Sequence, residues 1–401
     1  MIVRRFTLLI TQQKGSEIMV MTTSTPVIND AAVLEDVVGV LLEHVPIEME
    51  GDFQPETLFE ILLRAASNTE SIEQTCKTVE NAPTGNDVRY HLNKPKELET
   101  REAELNAALR CRVPGRLCGT RQKLAIDLNL IPYYGTASDE ELPYIIRSQA
   151  KVGTCSFYAY ATLYVISRGK RVTLALHAVT SDETLVCVIT RLLDQIAELN
   201  ISIKRLYLDR GFYCVPVIRW LQVCAIPLEM PVIVRGKQGG TRALVNQKRT
   251  YKTQYTMHSD QYGSVTFDVW VVGTYKMGRR GQHRVEYHAF VVYKVPLSIR
   301  ALPSDYRKRF GIESSYRQKN ICRIHTTTKN PATRLLYVGI ACLLVNLWVV
   351  MVWNSVSKPR KGGRQLFPAR FPFRTMLQFL RQAIERKLGT ITEIYLPEHP
   401  L

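Results

Sequence analysis

Three carboxylates in this sequence lie where side chains of that type can do chemistry. Asp127 interrupts an alternating apolar pattern typical of a strand, where a carboxylate is costly unless it is paired or binds a metal ion. Asp209 ends a short apolar run, and Glu313 lies among cations in the stretch Ser304–Asn320. Oxygen-only ligands suit Mg²⁺ or Mn²⁺, and two such ions can activate the attacking oxygen and stabilise the leaving one in phosphodiester chemistry. If the three side chains meet, the sequence predicts a site of that kind.

The stretch Ser304–Asn320 predicts one helix that begins with Ser304 as its N-cap. At about 100° per residue, one polar face of that helix carries five side chains. These are Tyr306, Arg309, Glu313, Arg317 and Asn320. The alternative interpretation is a solvated helix face with an ion pair between Arg309 and Glu313.

The elements that carry the two aspartates indicate an α/β fold. Residues 121–235 predict the order β-β-β-α-β-α-β, with Asp127 on the first strand and Asp209 at the end of the fourth. That order favours a mixed five-stranded sheet covered by helices. In open α/β sheets, chemistry is usually placed where a buried strand ends and a loop begins.

A β-rich block follows, with alternating strand patterns between residues 236 and 298. Two glycine-rich basic loops, at 236–242 and 276–284, could follow a DNA backbone through charge alone. The block separates Asp209 from Glu313 along the chain.

These motifs resemble the DDE insertion-sequence transposases of bacteria and archaea, in particular the group with a Tyr-x2-Arg-x3-Glu-x6-Lys signature around the third acid. Tyr306, Arg309 and Glu313 match the spacing. The final lysine does not match, because position 320 is Asn320 and Lys319 lies one residue early. Arg317 or Arg323 could replace that lysine as a DNA-phosphate contact.

The stretches around the first two acids are also similar to that family's acidic motifs. They read I-D-x-x-x-x-P-Y-Y-G around Asp127 and L-D-R-G-F-Y around Asp209, and the resemblance extends from about Leu124 to Asn346. It implies a ribonuclease-H-like fold with a β insertion between the second and third acids.

The resemblance also implies an activity and its partners. The three acids would be catalytic and would hold Mg²⁺ or Mn²⁺, as two ions, for hydrolysis at the element's ends and strand transfer into target DNA. The partners would be double-stranded DNA, as transposon ends and target, and a second copy of the chain in a synaptic complex. The residues expected to contact DNA are Tyr306, Arg309, Arg317, Asn320, Arg210 and Arg89.

The N-terminal part, 29–113, predicts an all-α domain. Within it, a short helix, a tight turn and a second helix that carries Arg89 follow the order of a helix-turn-helix. Asn86, Asp87, Tyr90 and His91 would then join Arg89 in contacting DNA. A plain helical bundle explains the same pattern, and the sequence leaves both interpretations open.

Composition limits the classes of partner and compartment. The net charge of +17 over 401 residues favours a polyanionic partner. Nine scattered cysteines without a Cys-x-x-Cys pair argue against structural zinc and indicate a reducing compartment, so we expect a cytoplasmic, nucleoid-associated protein. The apolar run Leu335–Trp353 is long enough to cross a bilayer. A buried core helix explains the same run, and no membrane partner is expected.

The predicted layout therefore has six segments. They are a disordered leader (1–28), a helical DNA-binding domain (29–113), the first part of the catalytic core (120–235), the β-rich insertion (236–298), the catalytic-helix end of the core with the buried apolar helix (299–356) and a basic C-terminal tail (357–401). Two other functions stay open: a related metal-dependent nuclease that cuts without joining, and a non-catalytic basic protein that binds DNA or a membrane.

Overall fold

The computed structural model describes residues 27–393, except for 168, 170, 237–239, 278–283 and 362. The predicted leader lies outside the described residues apart from its last two positions, and so do parts of both glycine-rich loops. The described chain forms two compact units. Residues up to Glu104 and from Gln318 onward form the helical unit, and Leu105–Arg317 form the sheet unit.

Helices account for most of the helical unit and flank the sheet in the other unit. In chain order they are α1 (Asp30–His44), α2 (Pro55–Asn68), α3 (Ile72–Cys76), α4 (Gly85–Leu92), α5 (Leu98–Cys111), α6 (Leu185–Asp194), α7 (Val215–Val223), α8 (Arg242–Asn246), α9 (Leu302–Tyr306), α10 (Phe310–Asn320), α11 (Pro331–Ser355) and α12 (Phe373–Leu388).

Strands form one large mixed sheet and a small hairpin. They are β1 (Arg121–Pro132), β2 (Ile145–Lys151), β3 (Thr154–Val165), β4 (Thr173–Val179), β5 (Ser202–Tyr207), β6 (Leu228–Pro231), β7 (Tyr251–Ser259), β8 (Gly263–Lys276), β9 (Arg284–Tyr293), β10 (Ser357–Arg360) and β11 (Gly363–Leu366). Strands β10 and β11 form the hairpin.

The large sheet has nine strands within the described residues, in the order β2-β3-β1-β5-β6-β9-β8-β7, and β4 also pairs with β3. Strand β3 runs antiparallel to both β1 and β4, whereas β5 is parallel to β1 and β6 is parallel to β5. The fold class is therefore α/β, with a mixed sheet and flanking helices.

The β-rich block does not end at a boundary with the sheet but extends it. Strand β9 pairs antiparallel with β6, with Leu228 opposite Tyr293, and β8 and β7 continue outward from β9. The sequence analysis expected five strands in the core sheet and treated 236–298 as a segment of its own. The physical reason for the larger sheet is that β6 would otherwise expose unpaired backbone groups, which β9 satisfies.

The predicted continuous helix Ser304–Asn320 is interrupted. Helix α9 ends at Tyr306, a single 3₁₀ turn covers Arg307–Arg309, and α10 begins at Phe310. Ser304 is not the N-cap, because α9 begins two residues earlier and the Ser304 hydroxyl donates to the Ala301 carbonyl oxygen at 2.8 Å. Pro303 fits the first turn of α9, where its missing N–H has no intrahelical partner to lose.

The segment expected to be a basic tail instead ends in a packed helix. Met376, Leu380 and Ile384 of α12 are fully buried at helical spacing. The polar face of α12 reaches other helices of the same unit through Lys387, whose Nζ lies 2.7 Å from the buried Glu60 carboxylate. The apolar residues at helical spacing in 376–384 favour a packed helix, although the stretch that precedes them is basic and contains prolines.

Helix α11 is the longest helix of the described chain. It is long and apolar enough to cross a bilayer, with a mean hydropathy of 2.5 in its most apolar window, and 83% of that window is buried in protein. Within the helical unit the Thr333 hydroxyl donates to the Leu92 carbonyl oxygen at 2.8 Å, and the Trp348 indole donates to the Phe371 carbonyl oxygen at 2.9 Å. Its residues cluster with the helical unit, whereas the sequence analysis grouped them with the core segment 299–356.

Candidate active site

The two aspartates come from adjacent parallel strands in matching register. Ala125 of β1 is paired with Tyr207 of β5, so Asp127 and Asp209 each lie two residues farther along their chains. Because parallel strands point the same way, this register places the two carboxylates side by side, with Asp127 within β1 and Asp209 just beyond the end of β5. This pairing of β1 with β5 is what places the two aspartates next to each other.

Each aspartate is held by backbone hydrogen bonds. Asp127 has a side chain that is 15% exposed, and its Oδ1 accepts from the Leu128 N–H at 3.1 Å. Asp209 caps the 3₁₀ turn that follows β5, and its Oδ1 accepts from the Gly211 N–H at 2.7 Å. A Cβ at Gly211 would lie 3.0 Å from that same oxygen, so a side chain there would crowd the carboxylate.

Helix α10 brings Glu313 near the two aspartates. Ile312 is fully buried in the core cluster between the sheet and this helix. Tyr316 donates from its hydroxyl to the Asp127 carbonyl oxygen at 3.2 Å and lies 2.8 Å from the Thr162 hydroxyl. The Glu313 side chain, in contrast, is 42% exposed.

Arg309 lies among the three acids. Its Nη1 is 3.6 Å from Asp127 Oδ2, and its Nη2 donates to Glu313 Oε1 at 3.3 Å. The guanidinium is buried, and neither Nε nor Nη1 has a hydrogen-bond partner among the residues that the structure describes. Burial works against its charge, but Tyr306 and Asp127 outweigh burial and raise the Arg309 pKa. The ion pair expected on a solvated helix face thus joins a buried arginine to a partly exposed glutamate.

The Asp127 carboxyl is strongly perturbed by its surroundings. Burial raises the pKa of its carboxyl to about 6, and the nearby Asp209 and Glu313 carboxylates also raise it, while Arg309 opposes them. Like charges and desolvation both disfavour the ionised form, and a cation restores part of the loss. A carboxyl with a pKa this close to neutrality is a common feature of catalytic sites.

Tyr306 is a buried residue that supports the backbone next to Asp209. It is 8% exposed, its hydroxyl donates to the Leu208 carbonyl oxygen at 2.9 Å, and its ring packs 5.2 Å from that of Phe290. Burial raises its pKa, so the phenol stays protonated and keeps donating. The structure therefore places Tyr306 in a supporting position, although the sequence analysis expected it to contact DNA.

The other predicted DNA contacts lie in different surroundings. Arg210 and Arg317 are exposed in the sheet unit, and Asn320 is exposed at the last position of α10. Arg89, on α4, is paired with Glu73 at 3.0 Å in the helical unit. His91 does not face outward as a helix-turn-helix contact would, because it is buried with its ring 5.5 Å from that of Phe53.

Sequence reasoning missed Asp305, which is central to a buried ionic cluster. Lys123 Nζ donates to its Oδ1 at 2.7 Å, the Tyr207 hydroxyl donates to its Oδ2 at 2.6 Å, and Arg205 and Lys308 contact it as well. Burial works against its ionised form, but these donors hold the pKa of Asp305 well below its usual range. The available signal was a pair of cations inside strand patterns, at 123 and 205, which need a carboxylate partner when buried.

The three carboxylates suit a hard divalent cation by their chemistry. Within the described ranges, no group of three or more acidic, histidine or cysteine side chains is drawn together closely enough to hold a metal ion. Arg309 instead supplies the positive charge between Asp127 and Glu313. The donor set, three carboxylates, fits Mg²⁺ or Mn²⁺.

A groove of about 420 Å³ lies beside this cluster in the sheet unit. Aromatic and cationic side chains line it together, among them Tyr275, Phe310, Arg210, Lys276 and Arg307. Aromatic faces combined with cations are the composition that nucleic-acid channels use.

Comparison with solved structures finds a fold in common. The chain matches a piggyBac transposase in a synaptic complex with hairpin DNA, with a TM-score of 0.52 and 11% sequence identity over 92% of this chain and 83% of that one. The chain has a transposase-like fold. No protein-family model matches the sequence, and no curated protein matches it either.

Proposed function

We propose that this protein is a DNA transposase of an insertion sequence, with a DDE-type site formed by Asp127, Asp209 and Glu313. One observation carries the proposal. Asp127 within β1 and Asp209 just beyond the end of the parallel strand β5 lie side by side in a transposase-like fold, and Glu313 approaches them on a helix fixed to β1. The piggyBac transposase was solved with DNA, which supports DNA as the substrate class here as well.

The order of the central strands supports a ribonuclease-H-like core. Strands β4, β3 and β1 are antiparallel neighbours, and β5 and β6 continue the sheet in parallel with β1. The β7–β9 block then corresponds to the insertion between the second and third acids. This arrangement accounts for how carboxylates distant in sequence come to lie near one another.

The chain's own residues supply binding, orientation and charge. Asp127, Asp209 and Glu313 would hold two Mg²⁺ or Mn²⁺ ions, which when bound supply Lewis-acid activation for phosphodiester hydrolysis and transfer. Arg309 orients two of these carboxylates, and Tyr306 fixes the backbone before Asp209. Exposed cations such as Arg210 and Arg317 would attract the DNA backbone.

The proposed reaction has two steps. Water attacks the phosphodiester at the element's end, which breaks the P–O3′ bond and leaves a 3′-hydroxyl on one side and a 5′-phosphate on the other. That 3′-hydroxyl then attacks a phosphodiester of the target DNA, forms a new P–O3′ bond and displaces a 3′-hydroxyl of the target strand. Two ends must be held together, so we also propose a homodimer in a synaptic complex. Its site of action would be the cytoplasm, at the nucleoid.

The test is strand cleavage and joining on duplex DNA that carries the ends of the element encoding this chain, with Mg²⁺ or Mn²⁺. Wild type is compared with Asp209→Ala and with Asp260→Ala, a control at an exposed aspartate of the β7–β8 turn. We expect nicked and joined products from wild type and the control, and none from Asp209→Ala. Nicking without joining would identify a nuclease instead, and equal activity in all three proteins would remove the proposed site.

A further inference from the structure

A second polar cavity lies entirely within the helical unit. It has a volume of about 470 Å³. Its polar lining combines the end of α2, the last residue of α10 and one face of α12: Ser67, Thr69, Asn320, Arg374, Gln378 and Arg381. Nothing in the proposed catalytic cluster uses this cavity.

The two arginines come from one helix face. Arg374, Gln378 and Arg381 occupy positions i, i+4 and i+7 of α12, so their side chains project in the same direction. Arg381 donates from Nη1 to the Asn68 side-chain oxygen at 3.3 Å, which restrains its guanidinium. Arg374 is exposed and forms no hydrogen bond or ion pair with another residue that the structure describes.

The opposite wall of the cavity is fixed by its own hydrogen bonds. The Thr69 hydroxyl donates to the Ile321 carbonyl oxygen at 2.8 Å, and Thr69 itself ends α2 in a left-handed conformation with φ of 57°. The Ser67 hydroxyl donates to the Arg64 carbonyl oxygen at 2.9 Å. These hydroxyl protons are used internally, so the donors left for a ligand are the arginines and the amides of Asn320 and Gln378.

The positive charge of the residues that line the cavity favours an anion as its ligand. Among the described residues that line the cavity there are two arginines and no carboxylate. A guanidinium is a planar fork of donors that matches phosphate oxygens, and it stays charged at any physiological pH. The two arginines are separated by about 10 Å along the helix axis, which corresponds to about three nucleotide steps of one DNA strand.

We propose that this cavity binds the phosphate backbone of a DNA strand, with Arg374 and Arg381 as its cations and Asn320 and Gln378 as neutral donors. The choice of DNA as the polyanion rests on the proposed function. Asn320 occupies the position where the resembled signature has a lysine, and the cavity places two arginines of α12 beside it. The positive charge that position 320 lacks is therefore supplied by α12.

The experiment measures binding of the full-length protein to a 30-base-pair duplex of arbitrary sequence in metal-free buffer over a series of salt concentrations. Each phosphate contact contributes about 0.9 to the slope of log K against log salt. We expect the Arg374→Ala/Arg381→Ala double variant to lose about 1.8 from that slope. Arg386→Ala, on another face of α12 and paired with Asp30, should keep the wild-type slope. An unchanged slope in the double variant would overturn the proposal.

A variant that adds a positive charge distinguishes a loss of DNA contacts from a loss of folding. Gln378→Lys adds a cation at an exposed position of the same cavity, and we expect the slope to steepen by about 0.9. No change in this variant would equally count against the site. Stabilisation of wild type by inorganic phosphate, lost in the double variant while the DNA slope stays constant, would show that the cavity takes free phosphate and not DNA.

The two proposals fail separately. Loss of slope in the arginine variants, together with absence of metal-dependent cleavage by wild type, would retain the DNA-backbone site and reject the transposase. Cleavage that depends on Asp209, with wild-type slopes in the arginine and Gln378 variants, would retain the transposase and reject this site.

Discussion

The Tyr306 hydroxyl donates a hydrogen bond of 2.9 Å to the carbonyl oxygen of Leu208, the residue before Asp209. Tyr316 makes a similar bond of 3.2 Å to the carbonyl oxygen of Asp127. Both strand aspartates therefore have their backbone tied to the segment that carries Glu313. The two tyrosine hydroxyls therefore fix the segment that carries Glu313 against the backbone next to both aspartates.

Tyr306→Phe tests this support. Removing the hydroxyl leaves the Leu208 carbonyl oxygen without this donor in a buried position, so we expect the free energy of unfolding to fall by roughly 1–3 kcal/mol. DNA cleavage should slow more than DNA binding weakens, because the change displaces the acids and leaves the exposed cations in place. Urea unfolding and cleavage rates measure the two effects. Tyr262→Phe, at an exposed tyrosine, is the matched control, and equal effects in both variants would contradict the supporting role.

Asp127 should make stability fall as pH rises. Its pKa in the folded protein is about 6 against 3.8 for an unperturbed group, so between these values the folded state binds more protons than the unfolded state. The two-unit difference corresponds to a loss of roughly 3 kcal/mol from pH 4 to pH 7. Unfolding titrations of wild type and Asp127→Asn measure it. The variant should lose this component of the pH dependence, and superimposable pH profiles would contradict the raised pKa.

Arg309→Gln should raise the Asp127 pKa further. The guanidinium lies 3.6 Å from the Asp127 carboxylate and favours its ionised form, and a charge partner at such range lowers a carboxyl pKa by about 1–3 units. Titration followed by carboxyl ¹³C shifts measures the pKa directly. Arg317→Gln, at an exposed arginine of α10, should leave it unchanged. A lowered or constant value in Arg309→Gln would show that the guanidinium does not act on Asp127.

Asp305→Asn should be among the most destabilising single changes in the sheet unit. It would remove the negative charge between Lys123, Arg205 and Lys308, and the buried Arg205 would keep only Glu229 as a carboxylate partner among the described residues. Breaking a buried charge network in this way costs about 3–5 kcal/mol. Chemical unfolding measures the loss. Lys308→Ala, which removes one half-exposed member, should cost much less, and equal losses would indicate that the cluster is not cooperative.

Local patterns in the sequence were sufficient to place the candidate acids on their elements. Alternation around Asp127 and the apolar run before Asp209 describe strands, because strand periodicity is visible within a few residues. The same argument gave strands β7–β9 and the helix around Glu313, except at its beginning, where Pro303 and the 3₁₀ turn at Arg307–Arg309 changed the geometry.

Only the tertiary structure determines which of those elements contact one another. The register between β1 and β5, the pairing of β9 with β6 and the packing of α12 all join residues far apart in the chain, and no short window of sequence contains both partners. The same holds for Arg309 beside Asp127 and for Asp305 beside Lys123 and Arg205. Whether a charged side chain is solvated or buried depends on those long-range contacts, and burial is what turned an ordinary aspartate at 127 into one with a pKa of about 6.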